Sequence, residues 1–84
     1  MFEIKIELDA ENFLKKLDKK QAEFILKKIY EIKHNPFRYL KRLKGHKLYR
    51  LRISEYRVIL DVVVSKNKIV VLKIGHRKNV YDLK

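Results

Sequence analysis

Apolar and polar residues alternate over three stretches of the chain, 2–8, 49–53 and 56–62. Successive side chains of a β-strand point to opposite faces, so this period predicts three half-buried strands. A fourth apolar stretch, 69–77, follows a turn expected at 65–67 and predicts the last strand.

Two helices are predicted between the first strand and the second. Asp9 can cap a short helix, and Asp18, with Gln21 three residues on, forms a capping box at the start of the next. Pro36 marks the end of the second helix, because the residue before a proline avoids helical geometry. Helical spacing predicts the buried stripes, which are Ala10, Phe13, Leu14 and Leu17 in the first helix and Ala22, Ile25, Leu26, Ile29 and Ile32 in the second.

The predicted order of elements is one strand, two helices and three strands. We therefore expect an α+β fold, in which both helices pack on one face of a mostly antiparallel four-stranded sheet. At 84 residues the chain is short for a second domain, so residues 1–84 are expected to form one. The other face of the sheet is left open to solvent.

The second and third strands are predicted to form a hairpin. If Ser54 and Glu55 make a two-residue turn, Ile53 lies opposite Tyr56 and the next pair outward is Arg52 with Arg57. Like charges directly opposite one another destabilise a sheet, so this pairing is a local conflict.

The apolar run of the last strand allows two orientations. One of them buries Lys73, which costs several kcal/mol without a partner, so we prefer the other. It places Gly75 opposite Arg57 and leaves room for a ligand against that arginine. The core residues of this strand are then expected to be Val70, Leu72 and Ile74.

Charge and composition narrow the classes of partner. The chain has 22 Lys and Arg against 10 Asp and Glu, a net charge of +12, which attracts nucleic acid, an acidic protein or an anionic membrane surface. It has no Cys, which excludes disulfides and thiolate catalysis. No apolar run has transmembrane length and the acidic start is unlike a signal peptide, so a cytoplasmic protein is expected.

The arginines of the open face are the candidate functional residues. Arg50, Arg52, Arg57 and Arg77 are predicted to converge there, and an arginine fork matches the oxygens of a phosphate group. A solvated basic face, with Asp61 pairing with one of the arginines, is the alternative. The total charge favours an anion-binding site.

The residue types limit the chemistry that such a site can perform. Carboxylates are scarce on the open face, which gives no support to a two-metal nuclease, and no metal or cofactor is expected. His34, His46 and His76 are too dispersed to suggest a catalytic pair. The remaining route to RNA cleavage is electrostatic: arginines stabilise the charge on phosphate while the 2′-hydroxyl attacks, and Tyr81 is the candidate proton acceptor.

Two segments, LKG…LYRLRISEYRVI and VVLKIGHRKNVY, resemble the RelE branch of the RelE/ParE toxin superfamily. The resemblance implies a RelE/ParE-like fold, similar to that of microbial ribonucleases. It also implies the toxin of a type II toxin–antitoxin module, a ribosome-dependent endoribonuclease that cuts mRNA in the A site and inhibits translation without a metal. The implied partners are a RelB-like antitoxin, the ribosome and mRNA.

The resemblance also implies individual roles. Arg50 and Arg52 match basic positions that are lysines in well-known members, Arg57 matches the arginine that stabilises the transition state, and Arg77 matches the arginine beside the leaving group. Tyr81 matches a tyrosine that stacks on a base and helps to activate the nucleophile. Because arginine does not give up its proton, Arg50 and Arg52 are expected to position and stabilise charge rather than transfer protons.

Other basic residues are expected to contact RNA. Contacts to the RNA or ribosome backbone are predicted for Lys41, Arg42, Lys44, His46, Lys47 and Lys78, with a solvated loop as the equal alternative. Two other functions share the fold: a ParE-like inhibitor of gyrase, and a non-catalytic nucleic-acid-binding member of the superfamily.

Overall fold

The computed structural model describes residues 1–78. In these residues, the segments that connect helices and strands contain three short 3₁₀ turns, at Ile32–His34, Pro36–Arg38 and Val64–Lys66. The helices and strands are β1 (Glu3–Ile6), α1 (Leu8–Lys16), α2 (Lys19–Glu31), β2 (Lys41–Arg42), β3 (Tyr49–Ile53), β4 (Tyr56–Val63) and β5 (Lys68–His76).

All of these strands belong to one sheet, in the order β1-β5-β4-β3-β2. β1 runs parallel to β5, and every other pair is antiparallel. The predicted α+β class is therefore confirmed, with one addition. The connector between α2 and the hairpin contributes β2, a strand of two residues that makes the sheet five-stranded.

The two helices begin differently from each other. Asp18 caps α2 as predicted, because its Oδ1 accepts a hydrogen bond of 2.9 Å from the backbone N–H of Gln21. In α1 the cap position is Glu7, which makes no side-chain capping bond, and Asp9 lies inside the first turn. The prediction that Asp9 caps α1 was wrong, although its charge still suits the positive end of the helix.

The core lies between the helices and one face of the sheet. Helix α2 contributes Ile25 and Ile29, both with no exposed surface, and the central strands contribute Val58 and Leu60. Ile59 is also fully buried but does not belong to this cluster, since it points to the other face of β4.

The orientation of the side chains of β5 changes at an irregularity in its pairing with β4. Ile59 pairs with Lys73, but the next residue, Leu60, pairs with Val71, so Leu72 is the extra residue of a β-bulge. The bulge reverses which side chains face the core before and after it. Ile74 faces the core as predicted, but the prediction for Val70 and Leu72 was wrong: both are half-buried, and the core residues of this half are Ile69 and Val71.

The hairpin register is as predicted. Ile53 pairs with Tyr56 and Arg52 with Arg57, around a turn of Ser54 and Glu55. Ser54 has a φ of 53°, in the left-handed region that non-glycine residues enter at a cost. Within residues 1–78, no helix is long and apolar enough to cross a membrane.

Candidate anion-binding site

The open face of the sheet concentrates cationic side chains on three neighbouring strands. Residues paired across two strands share a face, so Arg52 and Arg57 point the same way. Lys41 on β2 pairs with Arg50 on β3, which adds a second cationic pair beside the first. The predicted conflict of like charges is therefore present and larger than expected.

Arg57 is the buried member of this group, with 5% of its surface exposed. Its Nη1 donates two hydrogen bonds to main-chain carbonyls, of 3.1 Å to Ser54 and 2.9 Å to Tyr56. Both bonds come from one nitrogen, so they hold the side chain in place and do not engage the Nη2 edge.

No carboxylate neutralises the arginines within the described part of the chain. The ion pairs of residues 1–78 lie elsewhere, and Asp61 does not pair with Arg50, Arg52 or Arg57. Burying a charge without an opposite charge is expensive, so a site of this kind favours an anion. The alternative of a solvated face is met in part, since Arg52 is exposed to solvent, but its Asp61 counter-charge forms no ion pair among the described residues.

These side chains surround a small cavity of about 110 Å³. It is called the arginine cavity below, and its lining residues are Tyr39, Lys41, Arg50, Arg52 and Arg57. Three of the predicted site residues are thus brought together. Lys41, expected among the RNA-contacting residues of the connector, joins them because β2 pairs with β3.

Arg77 occupies a different position. Its backbone N–H donates a 3.0 Å hydrogen bond to the carbonyl of Glu55, which continues the pairing of β4 with β5. Its side chain lines a separate cavity of about 560 Å³, together with Glu55, His76 and Lys78. Gly75 does lie opposite Arg57, as predicted. Tyr81, the predicted proton acceptor, lies outside the described residues.

The rest of the basic connector divides between packing and solvent. The guanidinium of Arg42 lies 5.5 Å from the ring centre of Tyr49, on the face opposite to the arginine cavity. Lys44, His46 and Lys47 are exposed in the turn that Gly45 makes with a φ of 80°. Their predicted contacts with RNA remain a prediction.

Aromatic residues on the core side explain the position of His76. Its ring lies 5.2 Å from that of Tyr56 and 5.9 Å from that of Phe13. The Tyr56 hydroxyl donates a 3.2 Å hydrogen bond to Gln21, and burial, followed by the charges of Glu55 and Asp18, raises the pKa of Tyr56. His76 therefore lies on the face of the sheet opposite to the arginine cavity. Among residues 1–78, His, Asp and Glu form no group of three that could hold a metal ion.

A comparison with protein families decides the family. The profile described as "ParE toxin of type II toxin-antitoxin system, parDE" matches residues 4–81. The chain belongs to this family. No curated protein matches this toxin significantly.

The fold of this toxin is also similar to the folds of RelE toxins in solved structures. The fold is similar to that in the toxin–antitoxin complex RelBE2 from Mycobacterium tuberculosis, with a TM-score of 0.81 and 19% identity over 90% of this chain and 98% of that chain. For the archaeal RelE–RelB complex from Pyrococcus horikoshii OT3 the TM-score is 0.78 and the identity is 26%, over 93% of this chain and 97% of that chain. For the intact RelBE complex from E. coli the TM-score is 0.76 and the identity is 21%, over 90% of this chain and 96% of that chain.

The family profile confirms the RelE/ParE superfamily predicted from the sequence. Its description names ParE, whereas the solved structures with a similar fold contain RelE toxins. One residue of the toxin's cavity was missed from the sequence. Tyr39 stands in a connector without any clear period, so no pattern placed it beside the arginines. Its only sequence signal is an aromatic residue set between cations, in FRYLKR.

Proposed function

We propose that this toxin is an endoribonuclease that cleaves mRNA in the ribosomal A site and so inhibits translation. The observation that carries the proposal is Arg57, a buried arginine that faces Arg52 with no carboxylate beside it in the described residues. A scissile phosphate supplies the missing charge. The resemblance of the two sequence segments to the RelE branch supplies the reaction.

The proposed reaction needs no metal ion. The 2′-hydroxyl of the RNA attacks the adjacent phosphorus, forming a 2′,3′-cyclic phosphate and breaking the bond to the 5′-oxygen. The phosphorane-like transition state carries more negative charge than the substrate, and Arg57 and Arg52 stabilise that extra charge. Arg50 and Lys41 hold the flanking phosphate. By resemblance, Tyr81 takes the proton of the nucleophile and Arg77 stabilises the charge that develops on the leaving 5′-oxygen, which takes up a proton from water.

The proposed partners follow from charge and from the solved relatives. Those relatives are RelB–RelE toxin–antitoxin complexes, so we propose a RelB-like antitoxin that neutralises part of the +12 net charge. The ribosome and mRNA are the proposed targets, and the cytoplasm is the proposed compartment. Lys44, His46, Lys47 and Lys78 are proposed to touch the RNA backbone.

The test is cleavage of mRNA bound to ribosomes. Arg57→Ala is expected to slow cleavage about 10²- to 10³-fold, the usual cost of one lost transition-state donor. Lys16→Ala is the matched control, since it removes one positive charge from an exposed site on α1. Circular dichroism checks the fold of both variants. Cleavage by Arg57→Ala at the rate of the control would refute the site.

A second candidate is favoured by the family profile itself, which names ParE. A ParE-like toxin would inhibit gyrase by binding and would need no cleavage site. A gyrase supercoiling assay run beside the translation assay separates the two. Inhibition of supercoiling with intact mRNA would replace the nuclease proposal, whereas cleaved mRNA with unaffected supercoiling is the result we expect.

A further inference from the structure

Tyr39 lies where two cavities meet. It lines the arginine cavity, and it also lines a groove of about 240 Å³ between α2 and β3. Arg52 is the other residue that lines both. The Tyr39 side chain is half-exposed, with 47% of its surface open, so solvent or a ligand can reach its ring.

The groove differs in character from the arginine cavity. Among the described residues that line it, the charged ones besides Arg52 are Lys28 and Glu31, which form an ion pair of 3.7 Å with each other. Its remaining walls come from α2, from the 3₁₀ turn after it and from the edge of β3. The apolar residues among them are Phe24, Ile32, Leu51 and Ile53. An apolar, partly aromatic groove therefore adjoins a cationic cavity.

The edge of β3 leaves this groove open within residues 1–78. Strand β2 covers only Tyr49 and Arg50, so it stops before the residues that form the groove. Phe24 at the opposite wall is also half-exposed. The groove is therefore accessible from solvent and continuous with the cavity through Tyr39 and Arg52.

A single-stranded nucleotide has both of the chemical parts that this surface accepts. Its phosphate matches arginine forks, and its flat base stacks on an exposed aromatic ring whatever its sequence. In RNA, a single sugar links a base to the phosphate of the next nucleotide. In the protein, the groove and the cavity are adjacent and share two lining residues. An acidic peptide offers charge but carries an aromatic ring only where its sequence includes one, whereas every nucleotide carries a planar base next to a phosphate.

We propose that Tyr39 stacks on the base of an RNA nucleotide whose neighbouring phosphate occupies the arginine cavity, and that the groove between α2 and β3 receives this base. The inference rests on the proposed function in one respect, since it requires RNA phosphate in the cavity. It adds an RNA-binding residue that acts by stacking, and this residue fixes the position of the strand relative to the arginines whatever the base.

The probe is a short single-stranded RNA with 2′-O-methyl groups, which cannot be cleaved because the nucleophile is blocked. Fluorescence anisotropy measures its affinity at several salt concentrations. Tyr39→Ala is expected to weaken binding about tenfold, the cost of one lost stacking contact, while Tyr39→Phe binds as the wild type does. Tyr30→Ala is the matched control, because Tyr30 on α2 is 45% exposed and lines neither cavity.

The salt dependence separates stacking from charge. Each phosphate contact contributes about −0.7 to the slope of log affinity against log salt for a single strand. Tyr39→Ala should therefore leave the slope unchanged, whereas Arg57→Ala should reduce it. If Arg57→Ala changes affinity and slope but Tyr39→Ala does neither, the stacking inference is wrong and the phosphate site stands.

Two further outcomes would also overturn the inference. If neither Arg57→Ala nor Tyr39→Ala affects RNA binding, the phosphate site of the proposed function fails and the stacking role fails with it. If Tyr39→Ala weakens binding of the antitoxin and leaves RNA binding unchanged, the ring belongs to a protein interface.

Discussion

The two faces of the β3–β4 hairpin carry residue pairs with opposite effects on stability, although these residues alternate along the same two strands. On the face toward the helices, Leu51 and Val58 form a buried apolar pair. On the other face, one residue further along, Arg52 and Arg57 form a pair of like charges. Burial of the apolar pair stabilises the sheet, whereas repulsion between the two arginines destabilises it.

This difference separates the positions that specify the fold from the positions that we propose bind a ligand. Apolar pairs at period two are sufficient to fix the register of the hairpin. The arginine pair adds nothing to that register and opposes it, so its presence requires a reason other than folding. An anion between the two guanidinium groups provides one.

The largest expected contrast in stability comes from truncating one residue on each face. Leu60→Ala removes a fully buried side chain from the helix-facing side and should lower the free energy of unfolding by about 2–5 kcal/mol. Arg50→Ala on the open face should change it by less than about 0.5 kcal/mol. Urea denaturation measures both. Equal losses would mean that the arginine face is packed as the core is.

A second prediction turns the buried arginine into an apolar residue of similar length. Arg57→Met removes a charge that has no carboxylate partner in the described residues, so the free energy of unfolding should rise by about 1 kcal/mol. The same variant should fail to cleave ribosome-bound mRNA. Lys16→Met, at an exposed site on α1, is the control for stability. A less stable Arg57→Met would show that the two carbonyl bonds of Arg57 outweigh its burial.

The sequence allowed the arginine pair to be predicted because two independent signals agree on it. The apolar period of β3 and β4 and the turn at Ser54 and Glu55 place Arg52 opposite Arg57, and the structure has this register. The prediction needed no tertiary information, since a hairpin is local. The left-handed φ of Ser54 was not predictable, because serine has no preference for that region.

The sequence could not give the parts of the site that depend on longer-range pairing. Strand β2 has only two residues, Lys41 and Arg42, too few for a period. The bulge at Leu72 lies in an apolar run in which both orientations look alike. Tyr39 joins the cavity only because β2 docks on β3, so its place follows from the fold and not from its neighbours in sequence.

A smaller effect tests the helix-facing side through pH. Tyr56→Phe keeps the ring but removes the hydrogen bond to Gln21, so at pH 7 it should cost about 1 kcal/mol. The pKa of Tyr56 is raised in the folded protein above its ordinary 10.0, so the folded state holds this proton more tightly than the unfolded chain does. The stability due to the proton is complete below pH 10 and is lost as the pH rises through the folded pKa.

The wild type should therefore lose stability above pH 10 faster than Tyr56→Phe, and the gap between them should close. Thermal melts of both proteins at pH 8 and pH 11 measure the gap. A gap that is constant with pH would contradict the assignment of the raised pKa to this buried hydroxyl.

The smallest expected effect isolates the repulsion itself. Arg52→Gln removes one charge from the Arg52–Arg57 pair, so the free energy of unfolding should rise by about 0.2–1 kcal/mol at low salt. The gain should shrink as salt screens the pair, because the Debye length falls to about 3 Å at 1 M. Arg52→Lys keeps the charge and should show no gain. A gain that is unchanged at 1 M salt would show that Arg52 strains the hairpin sterically, and repulsion would then no longer explain why this face needs an anion.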